Sequence, residues 1–413
     1  MIDKAAEAGK PWFMTIAPSV PHAGINASDG TTYFPIPQDK WKSSFGDAKV
    51  PRNPDWNPSE VKMGASWILE LPEQNQTTID LEDELYRARV RVLAGIDDMV
   101  AELIASLEKH DMLDNTYIVY TTDNGYHIGN HRLGPGKKQG YETDVNIPMI
   151  WRGPGVDSDK TTDSVSTHTD LAPTFLTLFG LPLRTNLDGR TIPEITGGSK
   201  KSGEHVNIEL WGAADPYEIG LFKKPGLPSH LKNTYKGLRI IADDYSLYYS
   251  VWCTNEHELY DMTEDPWQTT NLIPNTMAVA NITSSGNDDG KAFDGKSGNS
   301  NLRGRPLSEV VNRIDALLMV LKTCVTTACT EPWKQLHPDG NVDTLHDAMD
   351  DKYDDFYAMQ PKVYFDGCRA LYIPEVEGPM SALAYSAGAM MRVNWGVVGV
   401  VACVSLWFGA GIW

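Results

Sequence analysis

Apolar residues in the first half of the chain follow two spacings, and the change between them marks the elements. Tyr117-Ile118-Val119-Tyr120 and Ile147-Pro148-Met149-Ile150-Trp151 are short β-branched and aromatic runs, the composition of strands. Between Leu85 and Leu107, the residues Leu93, Ile96, Val100, Leu103 and Leu107 recur at helical intervals, which predicts a helix with Asp97 and Asp98 on its solvated face. A second helix opens near Thr169-Asp170, carries Leu171, Phe175 and Leu178, and stops at Gly180, a residue suited to a helix end. From Pro11 to about Leu183 the order is strand, irregular stretch, helix, strand, loop, strand, helix. Such alternation predicts an α/β class, a mostly parallel sheet sandwiched by helices.

The pattern changes after a Gly/Pro/Ser-rich join around Thr196 to Gly203. Gly237-Leu238-Arg239-Ile240-Ile241 and Tyr245-Ser246-Leu247-Tyr248-Tyr249 flank the turn Ala242-Asp243-Asp244, a hairpin signal, and Glu258 to Tyr260 is a further strand. Aromatic residues there are read as core. Residues 276–305, rich in Ser, Asn, Gly and Asp, read as a flexible loop, and a helix is predicted from Leu307 to Leu321. Asp339 to Asp355 is strongly acidic but lacks a calcium-loop pattern, so a solvated, partly helical face is expected. The divisions expected are 1–200, 201–275, 276–375 and a hydrophobic tail, 395–413.

That tail carries no charge, and at about 1.5 Å rise per residue it would nearly span a bilayer core of roughly 30 Å. Ser386-Ala387-Gly388 and a short spacer before it resemble a lipid-anchor signal, so membrane attachment is one expectation. Met1 is followed by no apolar leader, whereas Asn26, Asn75 and Asn281 each begin a glycosylation triplet. Five cysteines leave one unpaired, and the spacing of Cys324 and Cys329 permits a disulfide while matching no zinc pattern. The balance favours the secretory pathway, extracellular or membrane-anchored.

Charge narrows the partners. Against 55 acidic residues stand 36 basic ones, a formal charge of −19, which argues against nucleic-acid backbones and disfavours long polyanions. A small anionic ester is easier to accommodate. Its candidate site is the run Thr121-Thr122-Asp123-Asn124-Gly125-Tyr126-His127, which follows a strand at the carboxyl end where ligands gather in such sheets. Asp123 and Asn124 are adjacent hard oxygen donors that suit calcium, with magnesium second. Lys137 and Lys138 follow in a Gly/Pro loop and offer ammonium groups to an anionic oxygen. His127 and His131 titrate near neutrality and are candidates to donate a proton to a leaving oxygen.

With these residues in place the chain resembles the sulfatase family of the alkaline-phosphatase-like superfamily. Asp123-Asn124-Gly125, Lys137 ahead of Tyr141-Glu142, and Ile147 through Gly155 look like its second signature. Pro11-Trp12-Phe13-Met14 through Ala17-Pro18-Ser19-Val20-Pro21-His22 looks like its central strand and sulfate-binding histidine. Glu258-Leu259-Tyr260-Asp261-Met262, with Asp265-Pro266 and Asn271-Leu272, looks like its carboxy-terminal signature. The likeness covers roughly residues 10 to 275, with details nearest fungal arylsulfatase-like proteins. It implies calcium ligation by Asp123 and Asn124, sulfate contacts from His22 and Lys137, weaker transfers to His127 and Lys138, and a small antiparallel carboxy-terminal sheet.

One family feature is missing. Sulfatases convert the Cys or Ser of a Cys/Ser-x-Pro/Ala-x-Arg run to formylglycine, and no such run occurs here: Ser19 has Pro21 two places on, but Ala23 where arginine belongs. Two amino-terminal metal-binding aspartates of the family are also without counterparts. The expectation is a sulfatase lacking its amino-terminal part, inactive as this chain alone, with a non-catalytic remnant or pseudoenzyme and a phosphate or phosphonate ester hydrolase as alternatives.

Overall fold

The computed structural model describes residues 1–198, 203–212, 222, 233–273 and 301–386. Its main elements are α1 (Ile2–Ala8), β1 (Gly24–Ile25), β2 (Thr32–Tyr33), α2 (Ser66–Leu69), α3 (Gln76–Lys109), β3 (Ile118–Thr121), α4 (Glu142–Val145) and β4 (Met149–Arg152). Then come α5 (Leu171–Leu178), α6 (Pro193–Thr196), β5 (His205–Leu210), β6 (Tyr235–Ala242), β7 (Tyr245–Trp252), β8 (His257–Asp261), β9 (Asn301–Leu302), β10 (Arg305–Pro306) and α7 (Leu307–Leu321). Of the stretch 276–305 read above as loop, 276–300 lies outside the described residues, and the end of the stretch is not loop, since β9 pairs with β10. The tail 395–413 also lies outside the described residues.

α3 starts well before Leu85 because Asn75 caps it: its side-chain oxygen accepts the Thr78 amide at 3.0 Å, satisfying a donor that the first turn leaves open. Its buried face runs through Leu85, Ala88, Val92 and Ile96, while Leu93 is 37% exposed. Of the predicted stripe, Ile96 and Leu107 are buried and Val100 and Leu103 half-buried, so the face departs from it only at Leu93. Contacts with the irregular segment before the helix set it: Asp83 pairs with Arg52 at 2.8 Å, and Arg91 donates to the Ser44 carbonyl at 2.7 Å. Asp97 is exposed as expected, but Asp98 is half-buried and accepts from Lys40 and from the Trp41 indole.

Around the candidate loop the strands run otherwise than expected. β3 pairs with β4 antiparallel, from Ile118 opposite Arg152 to Thr121 opposite Met149, because the intervening loop turns the chain back without a crossover helix long enough to restore its direction. Residues 11–20 form no strand. Pro11 and Pro18 remove two ladder donors and no strand lies alongside among the described residues, so Phe13 and Ile16 stay 64% and 44% exposed.

The carboxy-terminal sheet is as expected, an antiparallel array in the order β5-β6-β7-β8. Ala242 faces Tyr245 across the two-residue turn Asp243-Asp244. Alternation along β7 feeds two cores. Leu247, Tyr249 and Val251 pack with Leu238 and Leu259 against Ile314, Leu317 and Leu318 of α7. Tyr248 and Trp252 join Tyr235 and Tyr260 on the opposite face, against Trp67 and Ile68 of α2 and against Tyr141 beside α4. Each fully buried large side chain contributes roughly 1.5–3 kcal/mol.

α7 has the bounds read from sequence. The acidic stretch after it is partly structural: Asp354 accepts from both Arg305 and the fully buried Arg313, and Asp347 closes a capping box with Thr344. Disulfides join Cys253 to Cys368 and Cys324 to Cys329. Among the described residues no helix is long and apolar enough to cross a membrane.

Candidate active site

The loop between β3 and β4 is held by its own return. Gly125 donates to the Asp144 carbonyl at 2.8 Å and Tyr126 to the Thr143 carbonyl at 2.8 Å, so α4 grips the turn that carries Asp123 and Asn124. A Cβ on residue 125 would fall 2.0 Å from the Thr143 oxygen, which requires glycine there. Farther on, His127 and Gly136 exchange both backbone hydrogen bonds, at 2.9 and 3.0 Å, and Lys137 follows this bridge directly.

A carboxylate ties the two limbs together. Asp144 is buried, with one oxygen 2.8 Å and the other 3.0 Å from Nδ1 of buried His127. Since a carboxylate only accepts, Nδ1 carries the proton and Nε2 is the nitrogen left for other chemistry. The same carboxylate accepts the Gln139 amide at 2.8 Å. Sequence reasoning missed Asp144, because nothing in its spacing separates it from an ordinary first-turn helix carboxylate.

Asp123 is exposed, and its Oδ1 accepts the Asn124 amide at 3.0 Å and the Thr122 hydroxyl at 3.2 Å. Asn124 donates its amide nitrogen to the Gly125 carbonyl at 2.7 Å, so its side-chain oxygen keeps acceptor capacity. Lys137 is half-buried; Lys138 is exposed with a positive φ of 86°. His168, also missed from sequence, brings Nε2 within 3.4 Å of the Thr121 hydroxyl at the end of β3.

His22 belongs to a separate segment. It is exposed, and its Nδ1 donates to the Ala23 carbonyl at 2.8 Å, which leaves Nε2 as the second nitrogen. Arg89 of α3 connects this segment to the loop: it donates to the Pro21 carbonyl at 3.1 Å while its guanidinium lies 3.8 Å from the Tyr126 ring centroid. The contact places a bond to the residue before His22 and a stack on the residue before His127 at one side chain.

His131 is different from its reading as a proton donor. It is buried against Tyr141, ring centroids 4.2 Å apart, and 3.8 Å from Asp55, whose carboxylate already accepts from Asn130 at 2.8 Å. Burial pushes its pKa down to about 3, so it stays neutral in the interior.

A family profile described as Sulfatase matches residues 1–181. Sulfatase ppz1 of Metarhizium majus (strain ARSEF 297) is 38% identical over 386 residues, covering 93% of this chain and 77% of that protein. The arylsulfatase of Volvox carteri is 32% identical, covering 89% of this chain and 56% of its own length. The chain thus spans little more than half of the algal enzyme. A solved structure of a protein in complex with its substrate D-glucosamine-2-N,6-O-disulfate is 23% identical, with a TM-score of 0.40 over 49% of this chain and 39% of that one. The chain belongs to the sulfatase family.

Proposed function

We propose that this chain carries the anion-holding half of a sulfuric ester hydrolase. Lys137 and His22 contact sulfate oxygens, Lys138 adds charge at the rim, and His127, oriented by Asp144 through Nδ1, meets the leaving oxygen through Nε2. The observation that carries this reading is the shared carboxylate of Asp144, which fixes the His127 ring and the lysine limb in one frame. A small sulfate monoester is the favoured ligand, given the net charge of −19 and the relatives named as arylsulfatases.

The oxygens of Asp123 and Asn124 fit a hard cation, calcium ahead of magnesium, and such an ion when bound would polarise an ester oxygen. Two donors fall short of the six to eight that calcium takes, and among the described residues no group of three or more His, Cys, Asp or Glu gathers around a common point. Formylglycine does not fit, since no Cys/Ser-x-Pro/Ala-x-Arg run is present. That absence supports a second reading, anion binding without chemistry. The two disulfides support an oxidising, secretory compartment.

Calorimetric titration with inorganic sulfate and with 4-nitrocatechol sulfate tests the proposal. Saturable binding that Lys137→Ala removes, without release of nitrocatechol, is the expected result. Equal binding by wild type and Lys137→Ala would remove the anion-holding role, and turnover by the purified chain would remove the claim of inactivity.

A further inference from the structure

Glu258 of β8 is fully buried, yet three aromatic donors converge on its carboxylate. The Tyr260 hydroxyl lies 2.7 Å away, the Trp252 indole nitrogen 2.7 Å, and the Tyr141 hydroxyl 3.1 Å from one oxygen and 3.4 Å from the other. Tyr260 and Trp252 belong to the sheet itself. Tyr141 belongs to the site loop, separated from Lys137 only by Lys138, Gln139 and Gly140.

The residues on either side of Tyr141 rest on the same sheet. A Cβ on Gly140 would fall 1.9 Å from the Tyr248 hydroxyl, so the loop backbone lies directly against β7. The Glu142 amide donates to the Gln268 side-chain oxygen at 2.8 Å, and the Glu142 carboxylate accepts from Arg239 of β6 at 3.1 Å. Of these contacts, the one to Glu258 is the deepest. An apolar residue at 258 would fill the space but strand three buried donors, so the carboxylate is chosen by what it must hold.

We propose that Glu258 is a positioning residue, through which the carboxy-terminal sheet fixes Tyr141 and thereby the presentation of Lys137 to an anionic ligand. This rests on the role given to Lys137 above. The sheet is then more than a second core: it is the floor on which the lysine limb is set, with Asp144 holding Gln139 beside it and the limb's other end held by the backbone pair of Gly136 with His127. These anchors on a short Gly-containing segment leave the backbone at Lys137 few positions to sample.

Hydrogen exchange of amides 136–140 in the full chain, paired with inorganic sulfate titration, tests this. Tyr141→Phe and Glu258→Gln are compared with Tyr249→Phe, a control on the opposite sheet face whose hydroxyl bonds Asp315 at 2.9 Å. Exchange at 136–140 is expected to quicken about tenfold in the first two variants and not in the control, with weaker sulfate binding in step. Exchange that moves no more than in the control overturns the proposal. Quickened exchange in a chain whose wild type binds no sulfate upholds the strut and removes the ligand assigned to Lys137. Should Glu258→Gln fail to fold, Tyr141→Phe, which keeps the ring and loses one hydroxyl, decides alone.

Discussion

The carboxylate of Asp144 stands 2.8 Å from Nδ1 of His127, both side chains nearly free of solvent contact, and this pair orders a loop that has little regular structure of its own. Buried carboxylates are tolerated when they are hydrogen-bonded. Here the ring nitrogen and the Gln139 amide both donate to Asp144, so the pair fixes the tautomer of His127 and the path toward Lys137 together.

Asp144→Asn keeps the shape but sets an amide NH2 against one of two donors. The expected loss is about 1.5–3 kcal/mol in urea unfolding, the range for a hydrogen bond to a charged group. A variant as stable as wild type would show that the carboxylate is not required as an acceptor for both partners.

Gly125→Ala tests the grip of α4 on the turn that carries Asp123 and Asn124. With 2.0 Å available to the new Cβ, either Thr143 or the turn must shift, at a cost of about 1–3 kcal/mol. A lower Tm together with faster exchange at Gly125 and Tyr126 is expected. An unchanged Tm would mean that the turn relaxes freely and does not fix Asp123 and Asn124.

Burial pushes the Glu258 carboxyl up to about 7, against the pull of Tyr260, Trp252 and Tyr141 and with the help of nearby Glu256. Tyr248 also faces it and stays neutral, its own pKa driven up by burial. The folded chain therefore holds this proton more tightly than the unfolded chain. The resulting stabilisation is complete below the ordinary glutamate value near 4.5 and is lost as pH rises through about 7. At about 1.4 kcal/mol per pKa unit, wild type should lose roughly 3 kcal/mol relative to Glu258→Gln between acid and mildly alkaline pH. Parallel stability curves for the two proteins across that range would show that Glu258 does not titrate there.

Local signals carried much of the fold and less of the site. The Leu307–Leu321 helix and the Asp243-Asp244 hairpin were legible because periodicity and turn chemistry act within a few residues. The direction of β4 was not, since parallel and antiparallel strands share a composition and only the path of the intervening loop decides between them. Asp123, Asn124, His127, Lys137 and Lys138 could be proposed together from sequence because they share one loop. Arg89 and Glu258 were missed because their importance comes from partners distant in sequence: Arg89 meets Pro21 and Tyr126, and Glu258 meets Tyr141. His131 was misread for the same reason, as exposure rather than residue type decides whether an imidazole can change charge.

Arg89 offers the most direct test of whether the His22 segment and the loop form one unit. Its guanidinium stacks on Tyr126 while a hydrogen bond holds the Pro21 carbonyl, and only a planar fork serves both at once. Arg89→Lys keeps the charge and should recover little of what Arg89→Ala loses. In a double-mutant cycle, Arg89→Ala and Tyr126→Ala should couple by about 0.5–1 kcal/mol in stability, the range for a partly exposed cation–π contact. A second cycle, read in sulfate affinity, asks more: if Arg89 brings His22 to the loop, Arg89→Ala and His22→Ala must be less than additive, because each removes the same contact with the anion. Full additivity would show that Arg89 does not act through His22.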